Sequence, residues 1–213
     1  MIVRRMGLRL LRRAGARRRT QFEALPPPRG AVVFLGDSIT HHGLWESWFP
    51  ELRTANRGIR GETVQQVIDR VDSAINHPAA VSVLIGTNDL GGNGDTTDVG
   101  VIGARFGDLV DVIRELAPDA PLLVNSVMPR QQEYADAIER LNDHYRVVAT
   151  QMGAAYIDLW PALATPERTL RPEFTLDGLH LNGAGYRAWT DVLRPHLAAF
   201  ARSDAAESRT RPA

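Results

Sequence analysis

The sequence predicts a three-layer α/β fold, in which helices cover both faces of a doubly wound, parallel five-stranded sheet. Short apolar runs alternate with amphipathic stretches about five times along the 213 residues. The runs are apolar almost without interruption, which is typical of strands buried on both faces of a parallel sheet. A hydrophobic content of 44% and a charged content of 23% suit one globular domain with a sizeable core.

The strands are predicted from the apolar runs and the helices from apolar residues spaced three or four apart. Four clear strands and one weaker strand are expected at Ala31–Leu35, Ala80–Ile85, Leu122–Val127, Ala154–Leu159 and, more weakly, Arg53–Asn56. Four helices are expected between and after them at Val64–Ile75, Phe106–Leu116, Tyr134–Met152 and Ala184–Phe200. The second helix ends before Pro118, where a helix is expected to stop.

The two ends of the chain differ in composition from the body. Residues 1–20 hold eight of the 25 basic residues and no acid, so the remainder carries 17 arginines against 25 acids, a net charge of −8. We interpret residues 1–20 as a basic arm, residues 21–202 as the domain and residues 203–213 as a disordered tail. The arm is either a loosely docked extension, a helix that weakly contacts anionic lipid or nucleic acid, or a targeting segment.

Composition also excludes several classes of protein. The chain has no cysteine, which excludes disulfides, thiolate metal sites and a cysteine nucleophile. Its apolar stretches are shorter than the ~18 residues of a membrane-spanning helix and too interrupted for a secretory signal. A cytoplasmic location is therefore the expectation.

Chemistry-bearing residues gather where predicted strands end. Gly36–Ser38 follows the first strand and presents the Ser38 hydroxyl, Asn56–Gly58 follows the second, and Gly86–Asp89 follows the third. Asp177–His180 lies in the long loop before the last helix. The carboxyl ends of parallel strands meet at one edge, so these segments are expected to converge there.

Serine, histidine and aspartate together suggest a hydrolase. A serine becomes a nucleophile when a base accepts its proton, and a carboxylate fixes the orientation of that base. Taken singly, each segment has a simpler interpretation: Gly36–Ser38 as a turn, Asp177 and His180 as a loop hydrogen bond, and Asn88 as a cap. Their occurrence together favours catalysis.

In order and spacing, four blocks resemble the motif blocks of the SGNH (GDSL) hydrolase superfamily: Gly36–Thr40, Gly58, Gly86–Asp89 and Asp177–His180. Asn56–Thr63 is similar to the branch that contains platelet-activating-factor acetylhydrolase catalytic subunits and related bacterial esterases, and the resemblance covers about residues 21–200. It implies a flavodoxin-like sheet and a serine esterase that forms an acyl-enzyme on short acyl esters, acetyl above all. Thioesters, acylated sugars and lysophospholipids are further substrate classes of this broad family.

The resemblance also implies a role for each matching residue. Ser38 would be the nucleophile, His180 the general base and acid, and Asp177 the group that orients the imidazole. The N–H groups of Ser38 and Gly58 and the side-chain amide of Asn88 would bind the oxyanion. No cofactor or metal is implied, and the partner is a small-molecule ester.

Two other functions compete with the esterase. The first is a binding module with the same fold but a disabled site, recruited by its arm to an anionic surface. The second is a nucleotide-binding flavodoxin-like protein, which the absence of a phosphate loop disfavours. A metal at His41 and His42 is disfavoured because adjacent side chains point in different directions. Trp45, Trp48 and Phe49 are expected to pack the first helix rather than wall an acyl pocket.

Overall fold

The computed structural model describes residues 15–209, with side chains for residues 15–201. Its sheet has five parallel strands in the order β2-β1-β3-β4-β5. The strands are β1 (Val32–Gly36), β2 (Thr54–Gly58), β3 (Ala80–Leu84), β4 (Leu122–Asn125) and β5 (Ala155–Ile157). This order is that of the flavodoxin-like doubly wound fold. The predicted fold class is confirmed.

Helices connect the strands and cover the sheet. They are α1 (residues 15–24), α2 (Ser38–His42), α3 (Trp45–Trp48), α4 (Val64–Ile68), α5 (Thr87–Leu90), α6 (Val99–Leu116), α7 (Ala135–Gln151), α8 (Trp160–Leu163) and α9 (Gly183–Arg209). Short 3-10 helices lie at Val71–Ala74, Gln132–Tyr134 and Pro172–Phe174. The short helices α2 and α5 directly follow β1 and β3, so they present their first residues at the carboxyl edge of the sheet.

Successive strand residues point to opposite faces, and the sheet therefore has two cores. Val33 and Leu35 pack with apolar residues of α4, α6 and α7. Val32 and Phe34 pack on the other face with residues of α2, α3, α8 and α9. Phe34 stacks on Trp45 with ring centroids 3.9 Å apart. Burial on both faces explains why the strands are almost continuously apolar.

One predicted helix is divided in the structure. The spacing from Val64 to Ile75 predicts a single helix, but α4 ends at Ile68 and a 3-10 turn follows. Arg70, which lies between them, has a φ of −141° and a fully buried guanidinium. Its hydrogen bonds to Glu62, described below, take the chain out of helical geometry. The periodicity records burial on one face and cannot reveal this long-range contact.

Helices extend across both of the domain boundaries that the sequence predicts. Residues 1–14 of the predicted arm lie outside the described residues, and the boundary at residue 20 falls inside α1. This helix packs on the domain through the buried Phe22, and Arg18 Nε donates to the carbonyl of Gly58 at 2.9 Å. Helix α9 continues into the segment predicted to be disordered. None of the helices in residues 15–209 is long and apolar enough to cross a membrane.

Candidate active site

Ser38 is the first residue of α2, directly after β1. Main-chain N–H groups in the first turn of a helix have no acceptor within the helix, so the Ser38 N–H is available at the sheet edge. Asp37 caps the turn, since its Oδ1 accepts from the Ile39 N–H at 2.9 Å. Tyr186 of α9 donates to the Ile39 carbonyl at 2.5 Å. These contacts fix the turn that presents the hydroxyl.

The acid–base loop, residues 175–182, is closed by its own side chains. Thr175 Oγ1 accepts from the Gly178 N–H at 3.0 Å and donates to the His180 carbonyl at 2.8 Å. Gly178 has a φ of +74°, a conformation that favours glycine. This tight turn brings Asp177 and His180 to the same side of the loop.

The loop places His180 beside Ser38. Ser38 Oγ lies 2.9 Å from His180 Nε2, and His180 Nδ1 lies 2.7 Å from Asp177 Oδ2. The structure therefore brings the three predicted residues into one hydrogen-bonded chain, although Ser38 and His180 are 142 positions apart. A hydroxyl, an imidazole and a carboxylate in this arrangement are able to perform nucleophilic catalysis.

Asp177 keeps its negative charge although it is partly buried. Partial burial raises its pKa, but the His180 ring and the main-chain N–H groups of His180 and Leu179 oppose this effect and hold the pKa well below its usual range. The two N–H groups donate to Oδ1 at 2.7 and 3.0 Å. Oδ1 is thus occupied by the loop, which leaves Oδ2 for the imidazole.

Asn88 lies in α5, close to the nucleophile turn. Its Nδ2 donates to the Glu62 carbonyl at 2.9 Å and to Asp37 Oδ2 at 3.3 Å. Both N–H bonds of the amide are therefore engaged. The longer bond, to Asp37, is the one that a developing oxyanion would replace more easily.

Gly58 does not offer its N–H as the sequence predicts. That group donates to Asn56 Oδ1 at 3.0 Å. Close packing explains why a glycine occupies this position. A Cβ atom on Gly58 would lie 2.3 Å from the main-chain nitrogen of His41 and 2.8 Å from the Asp37 carbonyl oxygen. Gly58 thus allows α2 to pack closely against β2.

Sequence reasoning missed a buried network formed by Asp37, Glu62, Arg70 and Asn88. Arg70 Nη2 and Nε donate to Glu62 Oε2 at 2.6 and 2.8 Å, and Nη2 also donates to the Arg57 carbonyl at 3.0 Å. Asp37 is fully buried, and this desolvation raises its pKa to about 7. Glu62 and Arg70 are eight positions apart on either side of α4, so no local pattern identifies the pair.

The aromatic and histidine residues that follow Ser38 pack against their neighbours. Trp45 and Phe49 are buried against Phe34, as expected for packing. The His42 ring lies edge-on to that of His180, with centroids 5.4 Å apart. Among the described residues, no three histidine, aspartate or glutamate side chains are grouped to hold a metal ion.

Comparison with known proteins identifies a family that the sequence matches. The model of the GDSL-like lipase/acylhydrolase family matches residues 34–188. The platelet-activating factor acetylhydrolase IB subunit alpha1 of Bos taurus is 29% identical over 166 residues, which cover 73% of this chain and 69% of that protein. The human subunit alpha1 is also 29% identical, over 73% of this chain and 70% of its own length.

Solved structures show the same fold at lower identity. A GDSL-like lipase from Bacteroides thetaiotaomicron has a TM-score of 0.74 and 24% identity, covering 87% of this chain and 97% of that chain. An acetylxylan esterase from Geobacillus stearothermophilus has a TM-score of 0.64 and 20% identity, covering 79% and 95%. At these identities the structures support the fold alone.

Proposed function

The chain belongs to the GDSL-like lipase/acylhydrolase family and is a carboxylic-ester hydrolase, and we propose that it acts through an acyl-enzyme formed on Ser38. The observation that carries this proposal is the hydrogen-bonded chain of Ser38, His180 and Asp177. These three side chains need no metal or cofactor to attack an ester by this mechanism.

Each of these three residues has one task in the proposed mechanism. His180 Nε2 accepts the proton of Ser38 as Oγ attacks the acyl carbonyl, and Asp177 stabilises the imidazolium that forms. The proton then passes to the departing alcohol. A water molecule, deprotonated by the same nitrogen, then attacks the acyl-enzyme. As the tetrahedral intermediate collapses, His180 returns this proton to Ser38 Oγ and the carboxylic acid is released.

The oxyanion requires donors on the opposite side of the carbonyl. We assign this task to the Ser38 N–H and the Asn88 amide, as the sequence predicts. For the third donor the Gly61 N–H is better placed than that of Gly58, because it has no acceptor among residues 15–201 and the adjacent Glu62 carbonyl binds Asn88. Gly61 also has a φ of +77°, and a Cβ atom there would meet Asn93 Nδ2 only at 3.9 Å.

The proposed substrate carries a short acyl group, with acetyl as the first choice. The support is the similarity to the platelet-activating factor acetylhydrolase subunits, whose name specifies an acetyl group. An acyl-length preference follows as an expectation: 4-nitrophenyl acetate is hydrolysed faster than the butyrate or octanoate ester.

The test compares wild type with Ser38→Ala on 4-nitrophenyl acetate. Removing the nucleophile lowers kcat by roughly 10⁴-fold or more, since only oxyanion stabilisation and binding remain. Ser47→Ala is the matched control, because Ser47 is an exposed serine in α3, and it retains wild-type turnover. Undiminished hydrolysis by Ser38→Ala contradicts the proposal.

A further inference from the structure

Arg130, in the loop after β4, contacts the oxyanion side of the site. Its Nη1 donates to both the carbonyl and the Oγ1 of Thr87, each at 3.3 Å. Thr87 directly precedes Asn88 in α5. The guanidinium lies 3.9 Å above the ring of Tyr134, which restricts its movement. Arg130 is therefore held in place on one side of the cleft.

The next residue, Gln131, contacts the acid–base loop. Its Nε2 donates to the Asp177 carbonyl at 3.3 Å, and its Oε1 accepts from Arg130 Nε at 2.9 Å. A Cβ atom on Gly178 would lie 3.1 Å from Gln131 Nε2, so the glutamine packs directly against the turn. Thr87, Arg130, Gln131 and Asp177 form one continuous chain of hydrogen bonds.

This series of hydrogen bonds matters because few other hydrogen bonds join residues 177–180 to the rest of the protein that the structure describes. Within the described residues, two hydrogen bonds join residues 177–180 to distant parts of the chain: Gln131 with Asp177, and Ser38 with His180. The remaining hydrogen bonds of these four residues stay inside the loop. The second of the two changes when Ser38 gives up its proton and is acylated, whereas the first involves none of the reacting atoms.

We propose that Arg130 and Gln131 are positioning residues that hold the acid–base loop in register with the oxyanion donors. This inference rests on the proposed function. A guanidinium suits the task because its planar fork serves Thr87 through Nη1 and Gln131 through Nε at once, whereas an ammonium group lacks this geometry. The expected consequence is kinetic, because a misplacement of about 1 Å in a catalytic group is able to cost about 10²-fold in rate.

The experiment measures kcat and KM on 4-nitrophenyl acetate for four variants. Gln131→Leu breaks both links, and Gln131→Glu retains the acceptor for Arg130 but loses the donor to Asp177. Each is expected to lower kcat by about 10–100-fold with KM and Tm close to wild type. Arg130→Lys keeps the charge but not the fork, and a roughly 10-fold loss is expected. Gln132→Leu, at the exposed neighbouring glutamine, retains wild-type kcat.

A second measurement does not depend on turnover. Amide hydrogen exchange of residues 177–180 is expected to be at least several-fold faster in Gln131→Leu than in wild type, with unchanged exchange in β1 and β3. Unchanged loop exchange in this variant overturns the inference, as does full kcat in Gln131→Leu or Arg130→Lys. An inactive wild type with accelerated loop exchange in Gln131→Leu rejects the proposed function but supports the positioning role.

Discussion

The two sides of the active site hold their carboxyl groups in opposite surroundings. Asp37, on the nucleophile side, is fully buried beside Asn88 and near the Glu62–Arg70 pair. Asp177, on the acid–base loop, has a side chain that is 53% exposed. Burial raises the pKa of Asp37 to about 7. Hydrogen bonds from the imidazole and two N–H groups keep the pKa of Asp177 low against the opposing effect of partial burial.

From this difference we expect the site to separate stability from reactivity. The buried network binds the turns after β1, β2 and β3 to one another, so substitutions there are expected to change the free energy of unfolding. The acid–base loop is exposed and closed by local contacts, so substitutions there are expected to change the rate while the fold persists.

The largest effect is expected from Asp177→Asn. An amide keeps the size of the side chain but fails to fix the required tautomer of His180, so kcat should fall by about 10²–10⁴-fold. Tm should stay close to that of wild type, because the residue is exposed. Steady-state kinetics and a thermal melt provide the measurement, with Asp119→Asn as an exposed aspartate control. A large loss of stability with little loss of rate would reverse the comparison.

On the buried side, Arg70→Ala should unfold more easily. Removing one partner leaves Glu62 buried without its cation, which typically costs about 3–5 kcal/mol. Urea unfolding measures the difference. The control is Arg105→Ala, because Arg105 pairs with Asp95 at the same 2.6 Å but the Asp95 carboxylate left behind is exposed. Equal stabilities of the two variants would show that burial does not distinguish the pairs.

A smaller effect is expected in the pH dependence of stability. The pKa of Asp37 rises from an ordinary 3.8 to about 7 on folding, so the folded protein binds a proton that the unfolded chain releases. Its contribution to stability is therefore complete below pH 4 and lost as the pH rises through about 7. One pKa unit corresponds to about 1.4 kcal/mol, which makes the total on the order of a few kcal/mol.

Asp37→Asn isolates that contribution. The variant cannot titrate at this position, so its stability relative to wild type should improve steadily between pH 4 and pH 7. Urea unfolding at several pH values measures the trend. Parallel stability curves for the two proteins would show that Asp37 stays ionised in the fold.

The sequence predicts the fold and the candidate site residues because both follow from local patterns. Near-continuous apolar runs such as Ala80–Ile85 indicate buried parallel strands, and the strand ends carry the motifs. The position of Ser38 at the carboxyl edge of the sheet follows from the parallel topology, and the loop before α9 brings His180 to that edge.

Other features depend on which side chains meet across the chain. The division of the helix at Arg70 requires Glu62, which lies before the periodic segment. The engaged N–H of Gly58 depends on the side chain of Asn56, and a motif cannot show where that N–H points. Gln131 reaches Asp177 across 46 positions, and neither residue lies in a pattern that suggests the contact.

The most direct test of the central claim is covalent labelling with a fluorophosphonate, followed by mass spectrometry of the labelled peptides. An activated hydroxyl reacts with this probe, whereas an ordinary serine does not. We predict one adduct on the wild-type protein, located at Ser38, and a sharply reduced rate of labelling in His180→Ala. Labelling at another residue, or equal labelling of wild type and His180→Ala, would contradict the account.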